Sequence, residues 1–220
     1  MYRLALPRSP ISAKLTAVTA SSELRDLLGD IDIYLFDQIS RGRFDARHRV
    51  LDAGCGDGRN LPYFLARGYE VFAIDRDAAA VAAVTRLAAR LVPEASADHV
   101  RQGEVDALPW TDGSMDAVIS SAVLHFARDA AHFRSMLLEM WRVLVPGGLC
   151  FVRLASSITI EDRIAAPTGR VRLPDGSDRY VVDEATLLST TASLGGRLLD
   201  PLKTTNVQGQ RAMTTWVLGK

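Results

Sequence analysis

The sequence predicts an α/β fold built on a doubly wound, mostly parallel sheet. Short apolar runs alternate with segments of helical periodicity along most of the chain, which is typical of strand–helix–strand units. A glycine-rich turn joins the first apolar run to the helical segment that follows it. The last two apolar runs are too close in sequence for a parallel crossover of roughly a dozen residues, so we expect an antiparallel hairpin there.

Each predicted element rests on local periodicity and on the residues that end it. The seven predicted strands are residues 50–52, 70–75, 99–102, 115–120, 149–154, 197–203 and 213–218. The predicted helices are residues 23–28, 31–39, 61–67, 78–91, 130–144 and 183–194. The alanine-rich run at 78–91 favours a helix intrinsically, and Pro93 stops it. The Asp175-Gly176 pair is a hairpin-turn signal.

Length and charge restrict the class of protein. With 220 residues and 48% hydrophobic residues, the chain can form one globular domain with a full core. Its 26 basic and 26 acidic residues balance, which gives no electrostatic basis for tracking nucleic acid or an anionic membrane. No apolar run approaches the roughly 18 residues that span a bilayer. We therefore expect a soluble cytoplasmic protein, monomeric or homodimeric, without a nucleic-acid or membrane partner.

The two cysteines, Cys55 and Cys150, lack a CxxC spacing. We expect both to be small buried residues in a reducing compartment, and we expect no metal site.

The segment after the first strand carries most of the functional information. It reads Asp52-Ala-Gly54-Cys-Gly56-Asp-Gly58, an acid followed by three glycines at alternate positions. Glycine allows sharp backbone turns and close approach of a ligand, and the following helix start presents free N–H groups. A dinucleotide fingerprint requires its third glycine at position 59, where this chain has Arg59. A nicotinamide-dependent oxidoreductase is therefore the disfavoured alternative.

This D-x-G-x-G-x-G arrangement resembles motif I of the class I S-adenosylmethionine (SAM)-dependent methyltransferases. The stretch 54–60 resembles tellurite and thiol methyltransferases, and Leu124-His125-Phe126 resembles a motif of ubiquinone-biosynthesis-like methyltransferases. The resemblance runs from about residue 30 to the C-terminus. It implies a single Rossmann-like domain over 1–220 with seven strands, SAM as cofactor, and methyl transfer to oxygen, sulfur, nitrogen or a heavier chalcogen of a small molecule. A non-catalytic SAM-binding protein remains a second alternative.

One acid is placed by spacing, and the resemblance assigns the others. Asp75 lies 21 residues after Gly54 (75 − 54), the distance at which an acid meets ribose hydroxyls in nucleotide folds. The resemblance implies that Asp52 supports the methionyl ammonium, and that Asp106 and the backbone of Ala107 face adenine. The full set of predicted cofactor-binding residues is Tyr34, Asp52, Gly54, Cys55, Gly56, Arg59, Asp75, Arg76, Asp106, Ala107 and Ser121.

Several of these assignments keep alternatives. Arg76 can stack on the purine or be solvated. Arg59 can reach the SAM carboxylate, reach an acid of the fold, or be a solvated arginine of the helix. Glu104 competes with Asp106 for the adenine amine. Asp57 is predicted to cap the helix that begins near Gly58.

The substrate side is less specified by the sequence. An Asn-Pro-Pro-type tetrapeptide, typical of enzymes that methylate planar amino groups, is absent at 120–123, which reads Ser-Ser-Ala-Val. His125 is the candidate catalytic base, and a packing role for it is the alternative. We expect a helical lid over 1–45, with Asp32, Tyr34 and Asp37 as its candidates, and a substrate-side insertion over 156–182, to enclose the acceptor.

Overall fold

The computed structural model describes residues 27–94 and 97–220. Within them, the helices are α1 (Ile33–Ser40), α2 (Pro62–Ala66), α3 (Ala78–Leu91), α4 (Ala130–Val143) and α5 (Glu184–Ser193). The strands are β1 (Arg49–Ala53), β2 (Glu70–Asp75), β3 (Val100–Gln102), β4 (Met115–Ser121), β5 (Leu144–Ser156), β6 (Gly169–Arg172), β7 (Asp178–Val181), β8 (Arg197–Leu198), β9 (Lys203–Val207) and β10 (Arg211–Gly219). The helix predicted at 23–28 lies largely outside the described residues.

The main sheet has the order β3-β2-β1-β4-β5-β10-β8, and β9 also pairs with β10. Neighbours from β3 to β5 are parallel, whereas β10 runs antiparallel to β5, β8 and β9. The chain changes direction of winding between β1 and β4, which is the switch point where ligands bind in such sheets. The predicted α/β class, with its antiparallel C-terminal hairpin, is confirmed.

Two apolar clusters cover the two faces of this sheet. Alternate residues of each strand point to opposite faces, so Leu51 and Phe72 join one cluster while Val50 and Val71 join the other. The first cluster contains buried residues of α4 and α5, and the second contains those of α1, α2 and α3. The sheet is therefore doubly wound, as predicted.

Three local predictions were wrong in detail. The run 197–203 is not one strand: β8 and β9 pair with separate parts of β10 and are interrupted near Pro201, which has no N–H to donate to a ladder. The fifth strand begins at Leu144, five residues earlier than predicted, because β4 and β5 pair on both sides of an irregularity between Met115 and Ala117. Asp57 does not cap a helix, since α2 begins at Pro62 after an N-cap without a side-chain hydrogen bond.

The segment 156–182 contains a two-stranded hairpin, β6–β7, outside the main sheet. Its turn includes the predicted Asp175-Gly176 pair, with Gly176 at φ +83° and the Ser177 N–H donating to the Asp175 carboxylate at 2.9 Å. A small apolar cluster, formed by Ala155, Ile160, Val171, Leu173, Val181 and Ala212, holds the hairpin to the end of β5 and to β10. Strand β7 lies against the short turn Leu124–Phe126 that follows β4.

Helix α1 is fixed to the carboxyl edge of the sheet by the buried carboxylate of Asp32. This side chain caps α1 by accepting from the Tyr34 N–H at 3.0 Å, and it accepts from the Ser121 hydroxyl at 2.8 Å. Arg153 on β5 also donates to this carboxylate, at 3.4 Å. The backbone N–H of Asp32 donates to the side-chain oxygen of Asn60 at 3.0 Å. Asp32 is 4% exposed. Through its carboxylate and its backbone N–H, Asp32 thus joins α1 to three other parts of the domain.

The described residues, 27–94 and 97–220, contain no helix that combines the length and the apolar character needed to cross a bilayer.

We expect Asp32→Ala to lower the free energy of unfolding by about 2–4 kcal/mol, because it removes a helix cap and leaves buried donors without a partner. Asp37→Ala is the matched control on the same helix. Asp37 is partly exposed and pairs with Arg41 and Lys203, and such pairs contribute about 0–1 kcal/mol. Urea unfolding followed by circular dichroism measures both, and equal losses would contradict the role given to Asp32.

Candidate functional site

A cavity of about 290 Å³ opens at the carboxyl ends of β1, β2, β3 and β4. The residues that line it come from the turns after these strands and from α4: Gly54, Asp75, Arg76, Asp77, Gly103, Glu104, Val105, Ala122, Val123, Phe126, His132 and Met136. This is the switch point at which an open α/β sheet binds its ligand.

The glycine loop between β1 and α2 shapes the inner wall of this cavity. Gly54, Gly56 and Gly58 have φ of +87°, +52° and +84°, a region that side chains rarely adopt. A Cβ on Gly54 would meet the methyl groups of Val123 at 2.5 and 2.7 Å, so only glycine fits there. A Cβ on Gly58 would meet Val84 of α3 at 3.0 Å, whereas one on Gly56 would meet no atom within 4 Å. Gly58 therefore serves helix packing, and Gly56 faces open space.

Asp75, at the end of β2, presents its carboxylate to the cavity. One oxygen accepts from the Gly56 N–H at 2.9 Å and the other from the Asp77 N–H at 3.0 Å. The side chain is half-buried, and a carboxylate has further lone pairs for a ligand. Arg76 also lines the cavity and is exposed. The structure thus brings the predicted ribose acid and the glycine loop together.

Asp52 is a buried carboxylate without a hydrogen-bond partner among the described residues. It is 1% exposed, and both side-chain oxygens are unpaired. Burial, with a smaller contribution from the charge of Asp75, raises the pKa of Asp52 to about 7 against the opposing effects of Arg59 and of the nearby Asn60 side chain. The Asn60 contact does not have the geometry of a hydrogen bond, so both carboxylate oxygens count as unpaired. An unpaired buried carboxylate is costly, so a cationic ligand at this position would relieve a real penalty.

Arg59 and Ser121 belong to the Asp32 network. Arg59 donates to the Ser121 hydroxyl at 3.0 Å and lies 3.7 Å from the Asp32 carboxylate. Of the three alternatives for Arg59, the structure shows contact with an acid of the fold, made by a side chain that stays partly exposed. Tyr34 lies nearby. The Arg153 guanidinium is 5.0 Å from the centre of the Tyr34 ring, and the Tyr34 hydroxyl is hydrogen-bonded to the hydroxyl of Thr205.

The turn after β3 places Asp106 and Ala107 less directly at the cavity than predicted. Glu104 lines the cavity, and its carbonyl oxygen accepts from the Ala107 N–H at 3.2 Å. The Asp106 carboxylate lies 3.4 Å from Nε2 of His132, which is itself a lining residue. Asp106 therefore does not line the cavity itself but contacts His132, a residue that does. The competition between Glu104 and Asp106 for an adenine amine stays open.

His125 is buried beside the cavity and does not line it. Its Nδ1 accepts from the Ala155 N–H at 3.3 Å. Burial, together with the nearby charges of Arg179, Arg153 and Arg211, lowers the pKa of His125 to about 4. A neutral imidazole with Nδ1 occupied carries its proton on Nε2 and has no lone pair left to take another. These contacts favour a packing role over the catalytic role predicted from sequence.

Cys55 is buried in the glycine loop, and burial raises the pKa of its thiol far above the usual range. It therefore stays a thiol, and only its backbone is available to a ligand. No group of three or more potential metal ligands occurs in the part of the chain that the structure describes.

Sequence reasoning missed the lining residues that follow β4 and those on α4. Ala122 has φ +65°, a strained value for a residue other than glycine, and its N–H donates to the Arg153 carbonyl oxygen at 2.7 Å. Its position directly after a strand end was an available signal. The sequence contains no such signal for Val123, His132 or Met136, because these residues reach the cavity only through tertiary packing.

Comparison with known proteins supplies the family. Residues 51–152 match the model of a methyltransferase domain. A malonyl-[acyl-carrier protein] O-methyltransferase of Enterobacter lignolyticus is 34% identical over 118 residues, which are 53% of this chain and 43% of that protein. A probable SAM-dependent methyltransferase of Mycobacterium tuberculosis is 31% identical over 156 residues, 69% of this chain and 53% of that protein. The chain therefore spans about half the length of these curated relatives.

A solved structure extends the likeness to most of the fold. The 1,6-didemethyltoxoflavin N1-methyltransferase of Burkholderia thailandensis, with bound S-adenosylhomocysteine, superposes with a TM-score of 0.65 at 18% identity. The superposition covers 92% of this chain and 84% of that one. Residues 51–152 therefore form a methyltransferase domain of the SAM-dependent class, and the superposition shows that the surrounding chain has the same fold.

Proposed function

We propose that this protein binds SAM in the cavity at β1–β4 and transfers its methyl group to a small-molecule acceptor. The observation that carries the proposal is the pair of carboxylates at the glycine loop, one buried and unpaired (Asp52) and one anchored at the cavity wall (Asp75). Proteins rarely keep an unpaired buried carboxylate without a use for it. A ligand with both an ammonium group and vicinal hydroxyls would satisfy both.

The residues present fit the chemical groups of SAM. Asp52 would hold the methionyl ammonium, Asp75 would accept from the ribose hydroxyls, and Glu104 or Asp106 would accept from the adenine amine. The open space at Gly56 allows a ligand close to the backbone. When bound, SAM supplies a methyl group already activated by a positively charged sulfur. The protein's own part is therefore to bind, orient and exclude water, and positioning alone can lower a barrier by several kcal/mol.

A small acceptor is supported by the charge balance and by the relatives. Net charge is zero, so the chain as a whole does not attract a polyanion. The Burkholderia protein is named as a 1,6-didemethyltoxoflavin N1-methyltransferase, and the Enterobacter protein as a malonyl-[acyl-carrier protein] O-methyltransferase. A relative from Chromohalobacter salexigens, 36% identical over 105 residues, is instead named as a ribosomal RNA methyltransferase. The proposal includes a cytoplasmic monomer or homodimer that does not act on nucleic acid, in keeping with two free buried cysteines among the described residues.

The first test is binding of S-adenosylhomocysteine, with Asp75→Asn against Asp57→Asn. We expect micromolar affinity for the parent protein, about −8 kcal/mol. Asp75→Asn should weaken it by about 1.5–3 kcal/mol, because hydrogen bonds to a charged acceptor are lost. Asp57 is an exposed acid of the same loop, and its replacement should change little. Calorimetry on folded protein measures all three. Absence of binding to the parent protein would overturn the proposal.

A second prediction concerns the cost of keeping Asp52 unpaired. Because its pKa is raised from 3.8 to about 7 in the folded protein, the folded state holds the extra proton between these values. The stability of ligand-free protein should therefore fall as pH rises through that window. Asp52→Asn removes the charge, so we expect its melting temperature at pH 8 to exceed that of the parent by a few degrees, with a smaller difference at pH 5.

The same variant should bind S-adenosylhomocysteine at least about tenfold more weakly at pH 8, since the ammonium loses its counter-ion. Scanning calorimetry at pH 8 and pH 5 measures the melting temperatures of the parent and the variant, with Asp57→Asn as control. A variant that is less stable than the parent at pH 8, or that binds equally well, would contradict the assigned role of Asp52.

Two glycine variants separate ligand approach from helix packing. Gly58→Ala should destabilise the protein more than Gly56→Ala, because both adopt positive φ but only the Gly58 methyl would press on α3. Gly56→Ala should instead reduce affinity for S-adenosylhomocysteine, since its methyl occupies the space proposed for the ligand. Thermal unfolding measures the stability of both variants, and calorimetry measures their affinity for S-adenosylhomocysteine. A larger loss of stability in Gly56→Ala, with a larger loss of affinity in Gly58→Ala, would contradict the roles assigned to the two glycines.

A further inference from the structure

Arginine side chains surround the Leu124–Phe126 turn, at the edge of the cavity nearest β5. Arg179 on β7 places its guanidinium carbon 5.0 Å from the centre of the Phe126 ring. Arg170 on β6 donates to the carbonyl oxygen of Ala127 at 3.1 Å. Phe126 lines the cavity and is 45% exposed, so the Arg179 guanidinium lies against an accessible residue of the cavity wall.

The positive charge at this edge is only partly compensated. Arg153 and Arg211, whose charges also act on the turn, have Asp32 and Asp175 at 3.4 and 3.8 Å. Among residues 27–94 and 97–220, no carboxylate lies within 4.0 Å of the guanidinium of Arg179 or Arg170. The acids that line the cavity lie at the other end, after β2 and β3. Arg170 and Arg179 do not line the cavity themselves; they flank its Phe126 edge, whereas the lining acids and the lining Arg76 lie after β2 and β3.

Neither histidine next to the cavity offers a free acceptor nitrogen. Nδ1 of His125 is occupied by the Ala155 N–H, as described above. Nδ1 of His132 accepts from the Arg128 N–H at 3.1 Å, and its Nε2 faces Asp106. An acceptor that has to lose a proton during transfer finds no histidine to take it. An acceptor that arrives as an anion needs none.

We propose that the acceptor is a small molecule with a carboxylate, held at the Phe126 wall by Arg179 and assisted by Arg170. This rests on the proposed function and names its substrate class. Carboxylic acids, with pKa near 4, are ionised at pH 7, whereas thiols, phenols and alkylamines have pKa values of about 8.5 or higher. Protonated amines are also repelled by the arginines.

The step balances without proton transfer. A lone pair of the carboxylate oxygen forms the new oxygen–methyl bond, the sulfur–methyl bond breaks, and its electron pair stays on sulfur. The products are a methyl ester and S-adenosylhomocysteine. Because the negative charge of the acceptor disappears during the step, Arg179 holds the bound acid at least as tightly as the transition state. Its contribution therefore appears in KM for the acid more than in kcat.

The first experiment identifies the acceptor atom. The protein is incubated with methyl-labelled SAM and a panel of small mono- and dicarboxylic acids, alongside a thiol, a phenol and an alkylamine. Mild alkali then releases labelled methanol from methyl esters only. We expect alkali-labile label with at least one acid. Label confined to alkali-stable products, or no label in any acid with protein that binds S-adenosylhomocysteine, overturns the inference.

The second experiment tests the arginine, with the best acid from the panel. We expect Arg179→Gln to raise KM for the acid at least about tenfold, with kcat within about threefold. Its Kd for S-adenosylhomocysteine should stay within about twofold. Arg172→Gln is the matched control, an exposed arginine of the same hairpin that pairs with Asp178 at 3.2 Å. It should leave all three constants unchanged.

Arg170→Gln is a second, independent variant, and we expect it to raise KM for the acid severalfold. If Arg179→Gln does not fold, the KM of Arg170→Gln tests whether the hairpin arginines bind the acceptor. Equal behaviour of the folded Arg179 or Arg170 variant and the Arg172 variant overturns the role assigned here. Failure of this inference is distinct from failure of the proposed function. Protein that binds S-adenosylhomocysteine and methylates only the thiol or phenol keeps the proposed function and loses the carboxylate.

Discussion

Three consecutive backbone N–H groups hold the glycine loop to the end of β2, and the site depends on this attachment. The N–H groups of Gly54 and Cys55 both donate to the Ile74 carbonyl oxygen, at 2.9 and 3.0 Å, and that of Gly56 donates to the Asp75 carboxylate at 2.9 Å. The chain can take this path only with positive φ at its glycines. The same contacts position the loop at the cavity, orient the Asp75 carboxylate and leave open space next to Gly56. The backbone geometry of the loop and the recognition of a ligand therefore depend on the same hydrogen bonds.

Two buried carboxylates at this edge of the sheet have opposite roles. Asp32 has its cap, a hydroxyl and a guanidinium as partners, and it holds α1 in place. Asp52, two residues before Gly54 in the chain, has no hydrogen-bond partner for either carboxylate oxygen in the described part of the chain. A fully satisfied buried acid stabilises the fold, whereas an unsatisfied one stores a penalty that a ligand can relieve. A site that sacrifices stability for affinity is a common compromise in proteins.

The parts of this structure that the sequence predicts are those governed by local rules. The 78–91 helix and the 70–75 strand follow from propensity and periodicity, and the place of Asp75 follows from the spacing between a glycine turn and the next strand end. What the sequence does not predict depends on distant contacts. Nothing near Asp32 in sequence indicates Ser121 or Arg153, 89 and 121 positions away. The division of labour between Gly56 and Gly58 likewise depends on where α3 packs.

The same limit applies to the substrate side, and it explains where specificity resides. The region matched by the family model ends at residue 152, before the β6–β7 hairpin that carries Arg170 and Arg179. Arg170 and Arg179 therefore lie outside the matched region, whereas the lining acids Asp75 and Glu104 lie inside it. In the function proposed above, the matched region binds the cofactor and the hairpin selects the acceptor. A change confined to the hairpin would then alter the acceptor and leave the cofactor site as it is.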